Sequence, residues 1–115
     1  IVKKISEGMG CSGLVKFIMT DPPTVNDEHV TSKILKDAIE LFPSAEIDTQ
    51  YRSMGSEDMA YFLEKVPGCY FYIGSKNTDL GLIQGHHHPE FNFDERVLPK
   101  AAALMVAGAI ELLNQ

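Results

Sequence analysis

The run MGSEDMAYFLEKVPGCYFYIGS, from Met54 to Ser75, predicts a helix, a turn and a strand in succession. The helix begins near residues 55–58, where Ser56 can act as the N-cap and two carboxylates fall in the first turn. Pro67-Gly68 makes the turn. The apolar and aromatic run Cys69–Ile73 then predicts a strand of the kind that is buried on both faces of a sheet.

The segments on either side of this run alternate between helical and strand patterns. Helices are predicted at residues 1–10, 28–42 and 98–113, and strands at residues 14–20 and 45–51. Asn26 or Asp27 can cap the second of these helices, and Pro43 ends it. This alternation indicates a layered α/β fold. Two or three strands are few for a self-sufficient sheet, so we expect the partner strands on a missing part of the polypeptide.

Composition and charge narrow the classes of partner. The chain has 115 residues and a net charge of −6, which disfavours binding to nucleic acid or to anionic membranes. The longest apolar run, Ala101–Ile110, is shorter than the roughly 20 residues of a membrane span, and no signal peptide is recognised. Cys11 and Cys69 leave one long-range disulfide open, but two reduced cysteines in a cytoplasmic protein are the simpler interpretation.

Two groups of polar residues could carry chemistry. His86, His87 and His88 are consecutive, and such a loop is either a source of one or two metal ligands or a solvated polar loop. Glu57 and Asp58 are either an acid/base pair or simply carboxylates that complement a helix dipole. The same helix start offers backbone N–H groups around residues 55 and 56 that could hold a carboxylate or an oxyanion.

Three motifs together carry a family resemblance. Residues 54–75, the run HHHPEFNFDERVLP (His86–Pro99) and PPTVND (Pro22–Asp27) closely resemble the C-terminal end of the metal-dependent amidohydrolases. That family includes hippurate hydrolase, indole-acetyl-amino-acid hydrolases, N-acyl-amino-acid amidohydrolases and aminoacylase-type carboxypeptidases. The resemblance covers essentially the whole chain.

The resemblance implies a two-domain enzyme of which this chain is the last part. Residues 1–21 would be the last helix and strand of an α+β lid, or dimerisation, domain. Residues 22–115 would complete a zinc-exopeptidase-like layered α/β catalytic domain. Such enzymes are homodimers that hold two divalent metal ions (zinc, manganese, cobalt or nickel) and hydrolyse the amide bond of N-acyl amino acids or related peptides.

The resemblance also assigns roles to individual residues. His87 corresponds to the family's last metal ligand, two residues before the proline of an H-x-P motif. Gly55 and Ser56 correspond to backbone contacts near the substrate carboxylate, and Glu57 and Asp58 line the same site. The other metal ligands and the catalytic glutamate belong to upstream motifs, so this chain holds no catalytic residue. We therefore expect the chain alone to be inactive.

Two further interpretations remain open. A naturally short protein could use unpaired strand edges to oligomerise as a binding module without catalysis. Alternatively, the histidine loop at residues 86–88 could serve a small metal carrier.

Overall fold

Four α-helices provide most of the regular structure in this computed structural model, which describes residues 1–114. They are α1 (Val2–Gly8), α2 (Glu28–Leu41), α3 (Met59–Leu63) and α4 (Leu98–Leu113). A short 3₁₀ helix, Glu95–Val97, leads directly into α4. Within the described part of the chain, no helix is both long enough and apolar enough to cross a bilayer.

The residues that flank α2 explain where it begins and ends. Asp27 Oδ1 accepts a hydrogen bond from the Val30 amide at 2.9 Å, which satisfies one of the unpaired N–H groups of the first turn. Glu28 in that turn complements the helix dipole. The helix ends at Leu41, shortly before Pro43, which cannot continue it. The predicted helix and its Asp27 cap are confirmed.

The final helix is also confirmed, with the bounds predicted for it. Asp94 Oδ1 accepts a hydrogen bond from the Arg96 amide at 3.1 Å and so caps the 3₁₀ helix before α4. Pro99 lies in the first turn of α4, where its missing N–H has no intrahelical partner to lose.

The contact between α2 and α4 buries side chains of both helices. Val30 on α2 is 8% exposed, and Leu104 on α4 is 7% exposed. Gly108 is buried where the helices meet, and a Cβ atom at this position would collide with the side chain of Ile34. The glycine therefore allows the two helix backbones to approach closely.

The predicted strands form no β-ladder within residues 1–114. The segments at residues 14–20, 45–51 and 69–73 all lack ladder pairing among the described residues, so the strands predicted there are not formed within this part of the chain. The described residues contain one isolated antiparallel bridge, between Asn77 and Leu82. A strand needs the N–H and C=O groups of a neighbouring strand. The described residues supply no such neighbour, so the layered sheet is not formed here.

Helix α3 begins later than predicted. Ser56 does not act as its N-cap, because the helix starts at Met59 and Glu57 Oε1 accepts the Met59 amide hydrogen bond at 3.3 Å. Asp58 holds the N-cap position instead, and Glu57, one residue before it, accepts from the first amide of the helix.

Most large apolar side chains of residues 1–114 are exposed. The radius of gyration is 20.1 Å, whereas a compact domain of this length has about 13 Å. Leu14 is 91% exposed and Phe17 is 93% exposed. On α4, Met105 and Ile110 are exposed while another face packs on α2, and a helix that is apolar all round belongs in a protein interior. These surfaces need a cover that the described residues do not provide.

One carboxylate oxygen points to the same conclusion. Asp37 Oδ2, on α2, is buried and accepts no hydrogen bond from any of residues 1–114. Buried polar atoms in folded proteins almost always have a hydrogen-bond partner. We therefore expect a donor for Asp37 from outside the described residues.

The close contact between α2 and α4 can be tested by filling the space at Gly108. We expect Gly108→Val to lower the free energy of unfolding by about 2 kcal/mol, because Ile34 must move out of its packed position. Ala109→Val is the matched control, since Ala109 is exposed on the same helix. This substitution should lower the free energy of unfolding by about 0.5 kcal/mol, because valine has the lower helix propensity. Urea denaturation of the protein measures both values. Equal losses in the two variants would contradict the close packing.

Candidate functional site

The histidine loop is a turn that exposes all three imidazole side chains. His86, His87 and His88 are each exposed. The His88 amide donates to Gly85 O at 3.3 Å, and the Phe91 amide donates to His88 O at 2.9 Å. These two backbone hydrogen bonds define the path of the loop around its central histidine.

His87 has an unusual backbone conformation. Its φ is +68°, and it is the one non-glycine residue among residues 1–114 with a positive φ. The left-handed region costs a residue with a Cβ atom about 1 kcal/mol. Such strain persists only where neighbouring contacts hold it, and it is concentrated at functional positions.

The three histidine rings differ in what they contact. The ring of His86 meets that of Phe91 edge-on, with centroids 5.0 Å apart. His88 Nδ1 accepts a hydrogen bond from the Glu90 amide at 3.1 Å. Neither ring nitrogen of His87 takes part in a hydrogen bond within the described residues. The ring nitrogens of His86 likewise make no hydrogen bond within the described residues. His87 therefore differs from His86 in lacking an aromatic contact there, and from His88 in having both ring nitrogens available to a metal ion.

The described residues do not make a complete metal site. Residues 1–114 contain no cluster of three or more His, Cys, Asp or Glu side chains placed to hold an ion. A stable zinc site needs three or four protein ligands. Within the described residues, His87 alone therefore offers fewer ligands than such a site needs.

A cluster around Asp94 closes the base of the histidine loop. Asp94 Oδ2 accepts a hydrogen bond from Asn77 Nδ2 at 2.8 Å, and the Asp94 amide donates to Ser75 O at 3.0 Å. The guanidinium of Arg96 pairs with both oxygens of the same carboxylate. Arg96, followed by Asn77, holds the pKa of Asp94 well below its usual range. No sequence motif predicts this cluster, because Asn77 lies 17 positions from Asp94.

Glu57 is the member of the predicted substrate segment that contacts another part of the chain. Its Oε2 accepts a hydrogen bond from the Tyr70 hydroxyl at 2.8 Å. This bond lowers the pKa of Glu57, and the bond from the Met59 amide lowers it further. The same bond to Glu57 raises the pKa of the Tyr70 hydroxyl, and burial raises it further.

Asn26 fixes the backbone of Tyr70. Its Nδ2 donates to Tyr70 O at 2.9 Å, and its Oδ1 accepts from the Tyr70 amide at 2.8 Å. The neighbouring Asp27 amide donates to Gly68 O at 2.9 Å. The side chain of Asn26 thus occupies the place that a strand partner would take. No sequence pattern predicts this pairing, because Asn26 and Tyr70 are 44 positions apart.

Aromatic contacts complete the surroundings of Glu57. The ring of Tyr72 packs edge-on against Tyr70 at 5.2 Å and against Tyr51 at 5.4 Å. These contacts hold the Tyr70 ring in place, and with it the hydroxyl that binds Glu57.

The other three residues of the predicted substrate segment are exposed. They are Gly55, Ser56 and Asp58. The Gly55 amide donates to Ser53 Oγ at 3.2 Å, so this N–H group is paired, contrary to the expectation of unpaired groups here. Asp58 occupies the N-cap position of α3 without a side-chain hydrogen bond. The role of this segment in substrate binding stays a prediction, as does that of His87 in metal binding.

Comparison with known proteins identifies a family. The profile of peptidase family M20/M25/M40 matches residues 13–111. An IAA-amino acid hydrolase of Arabidopsis thaliana is 33% identical over 109 residues, which are 91% of this chain and 24% of the relative. Thermostable carboxypeptidase 1 of Saccharolobus solfataricus is 35% identical over 117 residues, which cover 100% of this chain and 29% of the relative.

A bacterial relative completes the comparison. The N-acetyl-L-cysteine deacetylase of Bacillus subtilis is 31% identical over 114 residues, which are 99% of this chain and 26% of the relative. The chain therefore spans about a quarter of the length of these curated relatives. No solved structure matches it.

The strained backbone at His87 can be tested with glycine. We expect His87→Gly to be more stable than His87→Ala by about 1 kcal/mol, because glycine adopts a positive φ without a steric penalty. At His86 the alanine variant should be the more stable one, because the φ of His86 is not positive. Glycine there only increases the conformational entropy of the unfolded chain. Denaturant unfolding of the four variants measures this. Alanine being the more stable residue at both positions would contradict the strained conformation.

The hydrogen bond between Tyr70 and Glu57 can be tested by titration. In Tyr70→Phe the pKa of Glu57 should rise towards its usual value, because the largest cause of its depression is gone. A depressed carboxyl pKa stabilises the fold above the unfolded pKa, and this stability is lost as pH falls through the folded pKa. The variant should therefore lose less stability on acidification.

Carboxyl NMR of the folded protein measures this pKa directly. Tyr61→Phe is the control, because the Tyr61 hydroxyl donates to Thr20 O and not to Glu57. An unchanged Glu57 pKa in Tyr70→Phe would show that the hydrogen bond does not form.

Proposed function

The chain belongs to peptidase family M20/M25/M40, and on that premise we propose that it is the C-terminal part of a metal-dependent amidohydrolase. The observation that carries the proposal is the family match over residues 13–111. The relatives named above are a hydrolase of amino acid conjugates, a carboxypeptidase and a deacetylase. The proposed reaction is therefore hydrolysis of the amide bond of N-acyl amino acids or related peptides.

The exposed apolar surface supports the proposal that a larger polypeptide completes this chain. The outer face of α4 and the segment at residues 14–20 lack cover, and Asp37 Oδ2 lacks a donor. The relatives are about four times as long as the matched region. We propose that the missing N-terminal part of the same polypeptide supplies the strands and apolar faces that pack against these surfaces.

The proposed domain division follows the family. Residues 1–21, including α1, would end a lid domain through which two copies dimerise. Residues 22–115 would complete the layered α/β catalytic domain. The exposure of Leu14 and Phe17 supports an interface on the segment before the boundary.

His87 is proposed as the one metal ligand that this chain contributes. Its left-handed backbone supports this role, as does the absence, within the described residues, of any ring contact like that of His86 with Phe91 or of His88 with the Glu90 amide. Two divalent ions, of zinc, manganese, cobalt or nickel, would supply the Lewis acidity that amide hydrolysis requires. The remaining ligands and the general base would come from the upstream polypeptide.

The segment Gly55–Asp58 is proposed to line the substrate site. A negatively charged side chain repels a substrate carboxylate, so Glu57 serves this segment as an anchor through Tyr70 rather than as a direct contact. The exposed backbone and hydroxyl of Ser56 would then face the substrate.

A binding module without catalysis is the second candidate. The exposed apolar side chains at residues 14–19 favour it, because unpaired apolar segments promote association. This candidate predicts that the short chain forms a stable oligomer. It also predicts that no longer polypeptide containing the chain has hydrolytic activity. A metal carrier built on the histidine loop has less support, since two of its three rings already have contacts within the loop.

The role of His87 can be tested in the complete polypeptide. We expect His87→Ala to lose bound metal and to reduce hydrolysis of N-acyl amino acids at least about 100-fold, since loss of a ligand disrupts the ion that the reaction requires. Metal analysis and activity assays with and without a chelator measure this. His29→Ala is the matched control, because His29 is exposed at the start of α2. Full metal content and activity in His87→Ala would contradict the assignment.

The chain of residues 1–115 alone gives a separate test. We expect no metal-dependent hydrolysis from it, because it offers one proposed ligand and no cluster of three or more among residues 1–114. Chelator-sensitive hydrolysis of an N-acyl amino acid by this chain alone would contradict the proposal.

A further inference from the structure

The base of the histidine loop is held by side chains that the proposed reaction does not use. The side chain of Asp94 is 13% exposed, although it lies in an open part of the chain. It binds Asn77 from the far side of the loop and Arg96 from its own side. The hydrogen bond from the Asp94 amide to Ser75 O joins the two ends of the loop as well. We call these residues, Ser75, Asn77, Asp94 and Arg96, the loop clasp.

Asn77 uses both ends of its amide group. Its Nδ2 donates to Asp94 Oδ2 at 2.8 Å, and its Oδ1 accepts from the Leu80 amide at 3.2 Å. Its backbone forms the antiparallel bridge with Leu82, with N···O distances of 3.0 and 2.8 Å. The loop clasp is thus joined to an ordered turn rather than to a free end.

A continuous series of contacts runs from the loop clasp to His87. Phe93, next to Asp94, stacks on Phe91 with centroids 6.2 Å apart. Phe91 in turn packs against His86 at 5.0 Å, and its amide binds His88 O. These contacts connect the residues on both sides of His87 to the loop clasp. This connection explains how a strained φ can persist at an exposed position.

We propose that Asp94, clasped by Asn77 and Arg96, is a positioning residue that fixes the histidine loop so that His87 stays oriented towards the metal site. The inference rests on the proposed function, since it assumes that His87 is a ligand. Asp94 touches neither the ion nor the substrate. Residues that orient metal ligands typically change metal affinity 10- to 100-fold when they are replaced.

The experiment must separate this role from simple helix capping. Asp94→Asn keeps an oxygen that can cap the 3₁₀ helix, since Asn and Asp are equally good caps, but it loses the charge that binds Asn77 and Arg96. Asn77→Asp keeps the acceptor for the Leu80 amide and places a carboxylate against Asp94. Asp79→Asn is the matched control, because it removes the charge of an exposed carboxylate in the same loop.

Three properties are measured on the complete polypeptide: amide hydrogen exchange of residues 83–92, the affinity for zinc by calorimetry, and hydrolysis of an N-acyl amino acid. We expect Asp94→Asn and Asn77→Asp to exchange faster in this segment and to bind zinc about 10-fold more weakly than wild type. Their hydrolytic activity should recover at saturating zinc, whereas that of His87→Ala should not. Asp79→Asn should match wild type in all three properties.

Three results would overturn different parts of the proposal. Exchange and zinc affinity in Asp94→Asn and Asn77→Asp that equal those of Asp79→Asn would show that Asp94 is only a cap. A wild-type protein that binds no divalent metal would overturn the proposed function, whatever the exchange of the loop. Loss of activity that saturating zinc does not restore would mean that the substitutions disrupt the fold rather than the position of His87.

Discussion

Burial of apolar surface is the constraint on which the rest of this structure depends. Residues 1–114 satisfy it at the contact of α2 with α4, where Val30 and Leu104 are buried and Gly108 lets the helices approach. Elsewhere most large apolar side chains of these residues are exposed, in keeping with the dimensions of 62 × 41 × 20 Å. The hydrophobic effect is the main favourable term in folding, so a chain in this state needs further protein to complete its core.

The helices could be predicted from sequence because their signals are local. Asp27 caps α2 through a hydrogen bond to a residue three positions away, and Pro43 ends it, so neighbouring residues decide both boundaries. The strands could not be predicted as paired elements, because pairing depends on a partner that no local pattern specifies. At Tyr70 the side chain of Asn26, 44 positions away in the sequence, takes the place of such a partner.

The candidate site likewise has features that the sequence predicts and features that it does not. The histidine loop is visible in the sequence, and the structure adds the positive φ of His87 and the separate contacts of its two neighbours. The hydrogen bond from Tyr70 to Glu57 spans 13 positions of sequence, and the one from Asn77 to Asp94 spans 17. No sequence motif predicts either contact. From sequence alone, Glu57 therefore cannot be told from a carboxylate that only complements a helix dipole. Family membership is the basis of the proposed chemistry, and these contacts hold in place the residues proposed for the site.

We propose that a larger polypeptide, which carries the other metal ligands, completes this chain. The intact mass of the native polypeptide that contains this sequence tests the claim most directly. We expect a mass several times the 12.7 kDa of the chain, in keeping with relatives of which it spans about a quarter. A native mass of 12.7 kDa would contradict the claim and would favour a binding role for a naturally short protein.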